Sequence, residues 1–389
     1  MEKLGIYVQV PFCQTKCTYC NFHTGVVAAL RFAPYAEAVC TEIRGHRVVY
    51  EAAGVRLPES LRHAKVDTVY FGGGTPSLLD PGHLQNILEA IRDSFRVDLM
   101  EVTLEADPET IEAEKAAAWF RAGINRVSFG LQSFADKELI AAGRMHRRAD
   151  IYRAVPILRE AGIRNISFDL IAGLPYQTKA SWRQSLEELA SLVPDHVSVY
   201  LLEIDEGSRL GKELLQGGTR YNAGAVPSED EMAEFYEMGQ ELLRESGYRH
   251  YEISNWAKPG FESKHNLKYW RREPYLGFGA GAHSFSGTER WANAHDAAAY
   301  VNAVERGRLP VEQLETVTAE RALEEELFLG LRQLDGIDVG RIQRQYGVSL
   351  EEKIGRLLAT GLLERRSDIV KLAAGRLAVS NEVFVALMG

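Results

Sequence analysis

The sequence predicts an α/β fold, a TIM-like partial (β/α)6 barrel followed by a mainly helical, winged-helix-like domain at the C-terminus. Short β-branched runs alternate with longer amphipathic stretches, a pattern typical of parallel strands that are joined by helices. Six strands are predicted, at residues 5–10, 67–72, 101–105, 126–130, 166–171 and 197–202. Because a closed barrel of this kind needs eight units, we expect an open barrel with a wide mouth.

Helical patterns fill the gaps between the predicted strands. After the third strand, Asp107 is a typical helix cap with Pro108 at the first helical position, and Gly123 is a typical helix end. We therefore expect a helix between these two points.

The chain follows a different pattern after about residue 250. Residues 255–287 are rich in turns, and a largely helical region begins near Thr318. We predict a short helix after residues 336–338, a second helix at 350–363, and a hairpin formed by 368–372 and 376–379. The predicted domains are a barrel at 1–250, a segment that packs on it at 251–310, and the winged-helix-like domain at 311–389.

The composition is that of an ordinary globular protein, with 46% hydrophobic and 25% charged residues. The net charge of −9 argues against extensive binding to a phosphate backbone, and residues 351–389 carry six Lys or Arg against five Asp or Glu. No nucleic-acid partner is therefore expected. Four cysteines, no signal-peptide pattern and no long apolar run predict a protein of the cytoplasm.

Three cysteines lie within eight residues, directly after the first predicted strand. Cys13, Cys17 and Cys20 form a Cys-x3-Cys-x2-Cys loop, which can place three thiolates around one metal centre. Three ligands are one fewer than a closed 4Fe-4S cluster needs, so one iron would stay open to a small ligand. Cys40, on a helical pattern, is predicted to be a small buried residue.

Polar or glycine-rich residues follow the ends of the predicted strands, at the edge where barrel enzymes build their active sites. The second strand ends in Gly72-Gly73-Gly74-Thr75-Pro76, where missing side chains let the backbone approach a ligand. The other polar residues at this edge are Glu105, Gln132, Arg144 and Asp169. We expect donors and acceptors to ring one rim of the barrel.

Each of these features has a simpler structural interpretation. His23 follows Cys20 by three positions and would complete a Cys3His zinc site. Taken alone, Glu105 or Asp169 would be an ordinary turn residue or ion-pair partner, and Arg144 a solvated charge. A zinc site does not account for a glycine run and polar residues on successive βα units. Their joint placement favours a ligand-binding rim.

With these residues in view, the chain resembles the radical S-adenosylmethionine (SAM) superfamily. The resemblance is carried by Cys13-x3-Cys17-x2-Cys20, by Tyr19 before the last cysteine, and by the glycine run. It implies a 4Fe-4S cluster on the three cysteines, with SAM at the open iron. An electron from the reduced cluster would cleave SAM to a 5′-deoxyadenosyl radical, while the protein positions the reactants.

The resemblance also implies roles for the rim residues. Gly73, Gly74 and Thr75 would hold the methionine end of SAM, and Tyr19 would contact the adenine side. The remaining residues implied to line the cofactor are Tyr7, Glu105, Gln132, Arg144 and Asp169.

Within that superfamily, the chain is similar over nearly its whole length to proteins related to oxygen-independent coproporphyrinogen oxidase. The most distinctive stretch, His265-Asn266-Leu267-Lys268-Tyr269-Trp270, is similar to the family's His-Asn-x-x-Tyr-Trp motif, which is associated with heme. The resemblance implies that His265 ligates heme and that Tyr269 and Trp270 offer apolar surface to the macrocycle. His283 is a second candidate ligand. A histidine bonded to backbone and a tryptophan packed between domains remain the alternatives.

Two departures from the oxidase pattern favour the heme chaperones of this family. Phe22 stands where the oxidase has a further cysteine, and only twelve residues precede Cys13, where the oxidase carries a long N-terminal arm. The resemblance therefore implies a protein that binds heme and transfers it to an acceptor. A radical enzyme that acts on a porphyrinogen is the alternative.

The resemblance implies partners as well. They are heme, a heme-accepting protein such as a respiratory enzyme of the membrane, and an electron donor such as flavodoxin or ferredoxin if the radical reaction occurs. The oligomeric state is left open by the sequence, with a homodimer among the alternatives.

Overall fold

The computed structural model describes residues 2–308 and 310–388. The strands are β1 (Lys3–Val10), β2 (Lys65–Gly73), β3 (Arg96–Ala106), β4 (Arg126–Gln132), β5 (Asn165–Ala172), β6 (His196–Leu201), β7 (Arg249–Glu252), β8 (Asn255–Ala257), β9 (Tyr275–Phe278), β10 (His283–Phe285), β11 (Glu289–Asn293), β12 (Val311–Thr316), β13 (Ile337–Asp338), β14 (Leu363–Arg366) and β15 (Ile369–Leu372).

The helices alternate with the strands through the first half of the chain. They are α1 (Phe32–Ala53), α2 (Glu59–Arg62), α3 (Pro81–Ser94), α4 (Ala113–Ala122), α5 (Asp136–Ala142), α6 (Arg148–Glu160), α7 (Lys179–Leu192), α8 (Arg209–Leu215), α9 (Glu229–Glu245), α10 (Lys264–Trp270), α11 (Ala297–Glu305), α12 (Ala319–Arg332), α13 (Val339–Tyr346), α14 (Glu351–Ala359) and α15 (Ser380–Met388). None of the helices within the described ranges is long and apolar enough to cross a membrane.

A twelve-stranded sheet forms the body of the protein, in the order β12-β11-β10-β9-β1-β2-β3-β4-β5-β6-β8-β7. β1 to β6 are neighbours in chain order and pair in parallel, as βα units require. All six predicted strands are present, although β3 begins five residues earlier than predicted. The sheet ends in β12 on one side and β7 on the other, which confirms the open barrel.

The alternation of side chains along the strands separates an apolar face from a polar one. In β1, Leu4, Ile6, Val8 and Val10 are buried in the main hydrophobic core. The intervening side chains point to the opposite face, because successive residues of a strand alternate in direction. On the other strands this opposite face carries Thr68, Tyr70, Glu101, Thr103, Glu105, Arg126, Ser128, Ser167, Asp169, His196 and Ser198. The interior of the barrel is therefore polar.

The segment after β6 extends the sheet at both ends. β8 pairs antiparallel with β6, while β9 pairs in parallel with β1, and β10 to β12 continue from β9 as antiparallel neighbours. Sequence reasoning described this region only as rich in turns. Its strands are three to six residues long, too short to give a clear alternation of polar and apolar residues.

Helix α10 packs against the amino-terminal halves of the first strands. Glu101 accepts hydrogen bonds from the backbone N–H groups of Lys264 and His265, both at 3.0 Å. Lys268 is almost fully buried and its ammonium lies 2.8 Å from a carboxylate oxygen of Asp67. These contacts close the barrel at the end opposite to the predicted rim.

The C-terminal region contains α12 to α15 and a small antiparallel sheet, in the order β13-β15-β14. The predicted short helix after 336–338 is confirmed as α13. The predicted helix 350–363 is shorter, and ends at Ala359, because Gly361 takes a left-handed φ of 69°.

The predicted C-terminal hairpin of 368–372 with 376–379 is wrong, because the first segment pairs with a different strand. Residues 369–372 pair with β14, and the chain reverses at Ser367, which has a φ of 58°. Residues 374–379 form a 3-10 helix instead. The charged run Glu364-Arg365-Arg366 concealed the strand, because these three side chains are exposed and only Leu363 is buried.

The helix predicted to start at Asp107 is also wrong at its beginning. Pro108–Thr110 forms a 3-10 helix, and α4 begins only at Ala113, although it ends before Gly123 as predicted. The side chain of Asp107 makes no cap. It bonds to Thr75 and Arg144 at the rim instead.

The buried ion pair between Lys268 and Asp67 generates a prediction about stability. Lys268→Met leaves Asp67 with only the more exposed Lys3, whose ammonium is 3.6 Å away. We expect a loss of about 3 kcal/mol in the free energy of unfolding, measured by urea denaturation, because a buried carboxylate loses its closest partner. Lys3→Met is the matched control and should cost less than about 1 kcal/mol. Equal costs for the two variants would contradict the assignment.

Candidate active site at the barrel rim

The cysteine loop is held at the carboxyl end of β1 by backbone hydrogen bonds. The N–H of Cys13 donates to the carbonyl of Gly25 at 3.0 Å, and the N–H of Gly25 donates to the carbonyl of Pro11 at 2.9 Å. The far side of the loop is held by α8, because the N–H of Leu210 donates to the carbonyl of Thr18 at 2.8 Å. Cys17 is buried, whereas Cys13 and Cys20 are partly exposed to the mouth.

The glycine run after β2 lies directly against this loop. The N–H of Gly74 donates to the carbonyl of Val10 at 2.8 Å, and the N–H of Thr75 donates to the carbonyl of Phe12 at 2.7 Å. A Cβ on Gly74 would overlap that same Phe12 carbonyl and would lie 3.0 Å from the sulfur of Cys13. Only glycine permits this approach, so the run and the cysteine loop form one unit.

Glu105 connects the glycine run to the interior of the barrel. Its carboxylate accepts hydrogen bonds from the N–H of Gly73 at 3.0 Å and from the hydroxyl of Tyr70 at 2.7 Å. Burial raises the pKa of Glu105 to about 7, an effect that these two donors oppose and the nearby charge of Asp169 reinforces. Glu105 can therefore hold or release a proton near neutral pH.

Arg144 joins the cysteine loop to the ends of β3 and β4. Its guanidinium donates to the carboxylate of Asp107, to the carbonyl of Gly130 at 2.8 Å, and to the sulfur of Cys17 at 3.5 Å. Arg144 is thus a buried cation beside a thiol, and not the solvated charge of the simpler interpretation. Arg144 therefore ties the cysteine loop to the ends of β3 and β4.

Gln132 and Asp169 occupy the rim on β4 and β5. Gln132 has a φ of 66°, which is uncommon for a residue with a side chain. Its side-chain amide and the guanidinium of Arg144 both lie next to the Cα of Gly130, where a Cβ would contact them. Asp169 accepts a hydrogen bond from Ser128 at 3.2 Å. Burial raises the pKa of Asp169 from its usual value.

The two predicted tyrosines lie on different sides of the site. Tyr19 packs with the apolar residues Ala142, Ile171 and Leu174 beneath the cysteine loop. Tyr7 lies inside the barrel, where its hydroxyl donates to the side chain of Gln9 at 2.7 Å and its ring stacks on Tyr70. Burial raises the pKa of both tyrosines well above its usual value, so both are neutral.

The structure brings the predicted rim residues together and places the predicted heme residues below them, on the side of α10. His265 lies inside the barrel and is 1% exposed, and its ring centroid is 5.3 Å from that of Tyr70 and 6.4 Å from that of Tyr7. Its two ring nitrogens meet the hydroxyls of Thr68 and Tyr269 at 2.9 and 2.8 Å. Trp270 packs under the guanidinium of Arg332, at the contact between α10 and α12. Ligation of heme by His265 stays a prediction, and it would require one of these hydrogen bonds to break.

Three residues of the site were missed by sequence reasoning. Gln9 and Tyr70 lie two residues from Tyr7 and Gly72, on the same faces of β1 and β2, and Asp107 lies two residues after Glu105, directly beyond the end of β3. Period-two spacing was therefore the signal that could have found them.

The zinc alternative finds no support in the position of His23. Its ring packs on His295, with centroids 4.6 Å apart. Throughout residues 2–308 and 310–388, no three His, Cys, Asp or Glu side chains are close enough to hold a single metal ion. A 4Fe-4S cluster does not require the three sulfur atoms to meet at one metal ion, because each thiolate binds a different iron.

The fold and this rim define a protein of the radical SAM class. The family model described as Radical SAM superfamily matches residues 7–189, and the model described as HemN C-terminal domain matches residues 317–375. The solved structure of coproporphyrinogen III oxidase from Escherichia coli shares the fold, with a TM-score of 0.82 and 22% identity over 99% of this chain and 90% of that chain.

Similarity to individual proteins identifies the family within this class. The chain is 35% identical to the heme chaperone HemW of Bacillus subtilis over 98% of both chains. It is 33% identical to the heme chaperone HemW of Mycobacterium tuberculosis, over 100% of this chain and 95% of that one. The chain belongs to the HemW family.

The close approach of Gly74 generates a prediction about the site. In Gly74→Ala the new methyl group overlaps the backbone of Phe12 and displaces the cysteine loop, which we expect to cost about 1–3 kcal/mol. Iron bound after anaerobic reconstitution should fall by at least about half. Gly355→Ala is the matched control, because a Cβ there meets no atom within 4 Å. Full iron loading of Gly74→Ala would contradict the contact.

The raised pKa of Glu105 generates a prediction about pH. A carboxyl group with a folded pKa of about 7 and an unfolded value near 4.5 stabilises the fold below pH 4.5, and that contribution is lost as the pH rises to 7. Glu105→Gln should remove this loss of stability with rising pH, because glutamine does not ionise. The apoprotein variant should gain about 1–2 kcal/mol relative to wild type between pH 4.5 and pH 8, a figure reduced because Glu105 faces the open mouth. The free energies of unfolding are measured by urea denaturation. If the difference between Glu105→Gln and wild type is the same at pH 4.5 and at pH 8, the raised pKa of Glu105 is refuted.

Proposed function

We propose that this protein is a heme chaperone that carries a 4Fe-4S cluster with exchangeable SAM and transfers heme to an acceptor protein. The observation that carries the proposal is the three-thiol loop held against the glycine run, in a chain that aligns from end to end with heme chaperones. Two further points support it. The donor atoms of the site suit an iron–sulfur cluster, and Phe22 stands where the oxidase has a further cysteine.

The residues of the cysteine loop fit an iron–sulfur cluster. Their donor set is three soft thiols, which suit iron–sulfur clusters and zinc, and His23 lies against His295 instead of completing a zinc site. Burial raises the pKa of the Cys13 thiol, and the charge of Cys20 raises it further. An isolated pair of thiolates is therefore disfavoured, and a bound cationic centre would reverse this. Cys13, Cys17 and Cys20 would hold the cluster, with the guanidinium of Arg144 compensating its charge.

The rim also fits the sulfonium cofactor. Gly73, Gly74 and Thr75 present backbone with no bulky side chain, which suits the amino and carboxylate groups of the methionine end. Glu105 accepts from Gly73 and can also face an ammonium group. Tyr19 would line the adenine side, while Tyr7, Gln132, Arg144 and Asp169 would line the rest. When bound and reduced, the cluster and SAM would supply a carbon-centred radical.

The residues of this chain would position the cofactor and shield it. Tyr19, which is part of the cysteine loop, packs on Ala142 and Leu174, and these apolar side chains limit access of water from that side. Glu105 would face the methionine end as a carboxylate, because a cationic ammonium group beside it favours the ionised form. Arg144 holds the cysteine loop to β3 and β4 through Asp107 and Gly130.

Heme capture and transfer form the second part of the proposal. Heme is the cargo, and His265, Tyr269 and Trp270 are the residues that the family motif suggests for it. The acceptor would be a heme-requiring protein, with a respiratory enzyme of the membrane as one such acceptor. Flavodoxin or ferredoxin would reduce the cluster if the radical reaction is used, and we infer a location in the cytoplasm.

An oxidase that acts on a porphyrinogen is the alternative function. Likeness to the Escherichia coli oxidase supports the fold alone, because the two chains are 22% identical. Phe22, 66% exposed at the rim, stands at the position of the oxidase's additional cysteine. An assay of reconstituted protein with coproporphyrinogen III, SAM and a reductant under anoxia tests this alternative. We expect no protoporphyrinogen, and formation of this product at many turnovers would refute the chaperone proposal.

The three cysteines generate a test of the cluster itself. Each of Cys13→Ala, Cys17→Ala and Cys20→Ala should lose most of the brown absorbance and bind far fewer than about four irons after anaerobic reconstitution. Cys40→Ala is the matched control, because Cys40 is buried in α1 away from the rim. The control should load iron as wild type does. A colourless wild-type protein that carries zinc would refute the cluster.

A further inference from the structure

Three histidines from distant parts of the sequence meet at the outer side of the rim. The ring of His295 lies 4.6 Å from that of His23 and 6.4 Å from that of His283, measured between centroids. All three side chains are exposed. In the described part of the chain, these rings contact one another and form no hydrogen bond to another side chain or to backbone.

The backbone around these histidines is firmly held. The N–H of Gly281 donates to the carbonyl of Ala294 at 2.8 Å, and the N–H of Asn293 donates to the carbonyl of Ala282 at 3.0 Å. These bonds join the turn before His283 to the turn that carries His295. Glu42, buried beneath them, accepts from Gly279 at 2.9 Å and from Asn293 at 2.7 Å. The imidazoles of His283 and His295 therefore project from backbone that is held by several hydrogen bonds.

The geometry of the sheet places this histidine cluster beside the cysteine loop. β9 runs parallel to β1, so the turn after Phe278 lies at the same end of the sheet as the cysteines. His23 follows Cys20 by three residues and packs on His295 across that gap. The cluster is thus at the mouth of the barrel, on its outer edge.

An exposed apolar loop accompanies the three imidazoles. Phe22, Val26 and Leu30 are 66, 60 and 74% exposed, and all lie within nine residues that include His23. Such an accumulation of large apolar side chains in solvent is unusual for a surface loop and marks a contact site. Arg31, also exposed, follows Leu30 and offers a positive charge.

The chemistry of this surface matches a metalloporphyrin. A neutral imidazole is a common axial ligand of heme iron, apolar side chains cover a flat macrocycle, and a cation pairs with a propionate. The imidazoles of His23, His283 and His295 form no hydrogen bond within the described residues that an iron ligand would have to break.

His265, the histidine of the family motif, is less accessible as a ligand of heme iron than the three exposed histidines. His265 is buried, and both of its nitrogens are engaged by hydroxyl groups. A heme is too large to reach it without displacing α10 from the end of the barrel. His23, His283 and His295 require no such rearrangement.

We infer that an imidazole of the cluster formed by His23, His283 and His295 ligates the heme iron, with the macrocycle lying on the loop 22–31. This inference rests on the proposed function, and it names the site where the cargo is held. It places heme at the surface beside the cysteine loop, where an acceptor protein can reach it.

The test is a titration of the reconstituted protein with hemin, followed by absorbance in the Soret region. The variant His23→Ala/His283→Ala/His295→Ala should bind hemin at least about tenfold more weakly and lose the spectrum of an imidazole ligand. Because all three side chains are exposed, this variant should fold and load iron as wild type does. His63→Ala is the matched control and should change nothing, because His63 is an exposed histidine directly after α2.

Two further variants separate the alternatives. Phe22→Ser/Leu30→Ser should weaken binding several-fold without changing the ligand spectrum, and an unchanged affinity would overturn the assignment of the macrocycle to this loop. His265→Phe should retain the imidazole spectrum. Loss of that spectrum in His265→Phe, together with wild-type binding by the triple variant, would overturn the inference and leave the chaperone function intact. Failure of the wild type to bind hemin at all would overturn both.

Discussion

The site depends on the backbone contact between the glycine run and the cysteine loop. The N–H groups of Gly74 and Thr75 donate to the carbonyls of Val10 and Phe12, so the ends of β1 and β2 act as one rigid unit. A Cβ at Gly74 would separate them. Because the parallel register of β1 to β6 carries the other strand ends to the same rim, Glu105 and Arg144 also bind to this unit through Gly73 and Cys17. The three thiols are thereby held in a fixed place.

The polar interior of the barrel requires a cover at its other end, and α10 provides it. Glu101 binds the first N–H groups of α10, Lys268 pairs with Asp67, and His265 binds Thr68. A buried carboxylate such as Glu101 is stable only with partners of this kind. These contacts give the residues of the His-Asn-x-x-Tyr-Trp motif a structural role in closing the barrel. For this reason we infer that heme is ligated by histidines that are accessible from solvent.

Much of the fold was predictable because local sequence carries the information. The six βα units follow from the alternation of short apolar runs with amphipathic stretches, and the helix end at Gly123 follows from glycine's freedom to adopt a left-handed φ. The strands β7 to β12 were not predicted, because they are short and gain their stability from neighbours that are distant in sequence. Asp107 was misread for a similar reason, since its partner Arg144 lies 37 residues further along the chain.

The sequence by itself determined which residues the rim carries, because three cysteines at fixed spacing and a glycine run can be recognised without coordinates. It also indicated that β1 to β6 are parallel, since helical stretches alternate with the strands. Only the tertiary structure decided which histidines are free. The sequence singles out His265 by its motif and gives no signal for His295, but folding buries His265 between two hydroxyls and brings His295 against His23 and His283 at the surface. Burial and pairing arise from contacts between distant segments, and local patterns do not encode them.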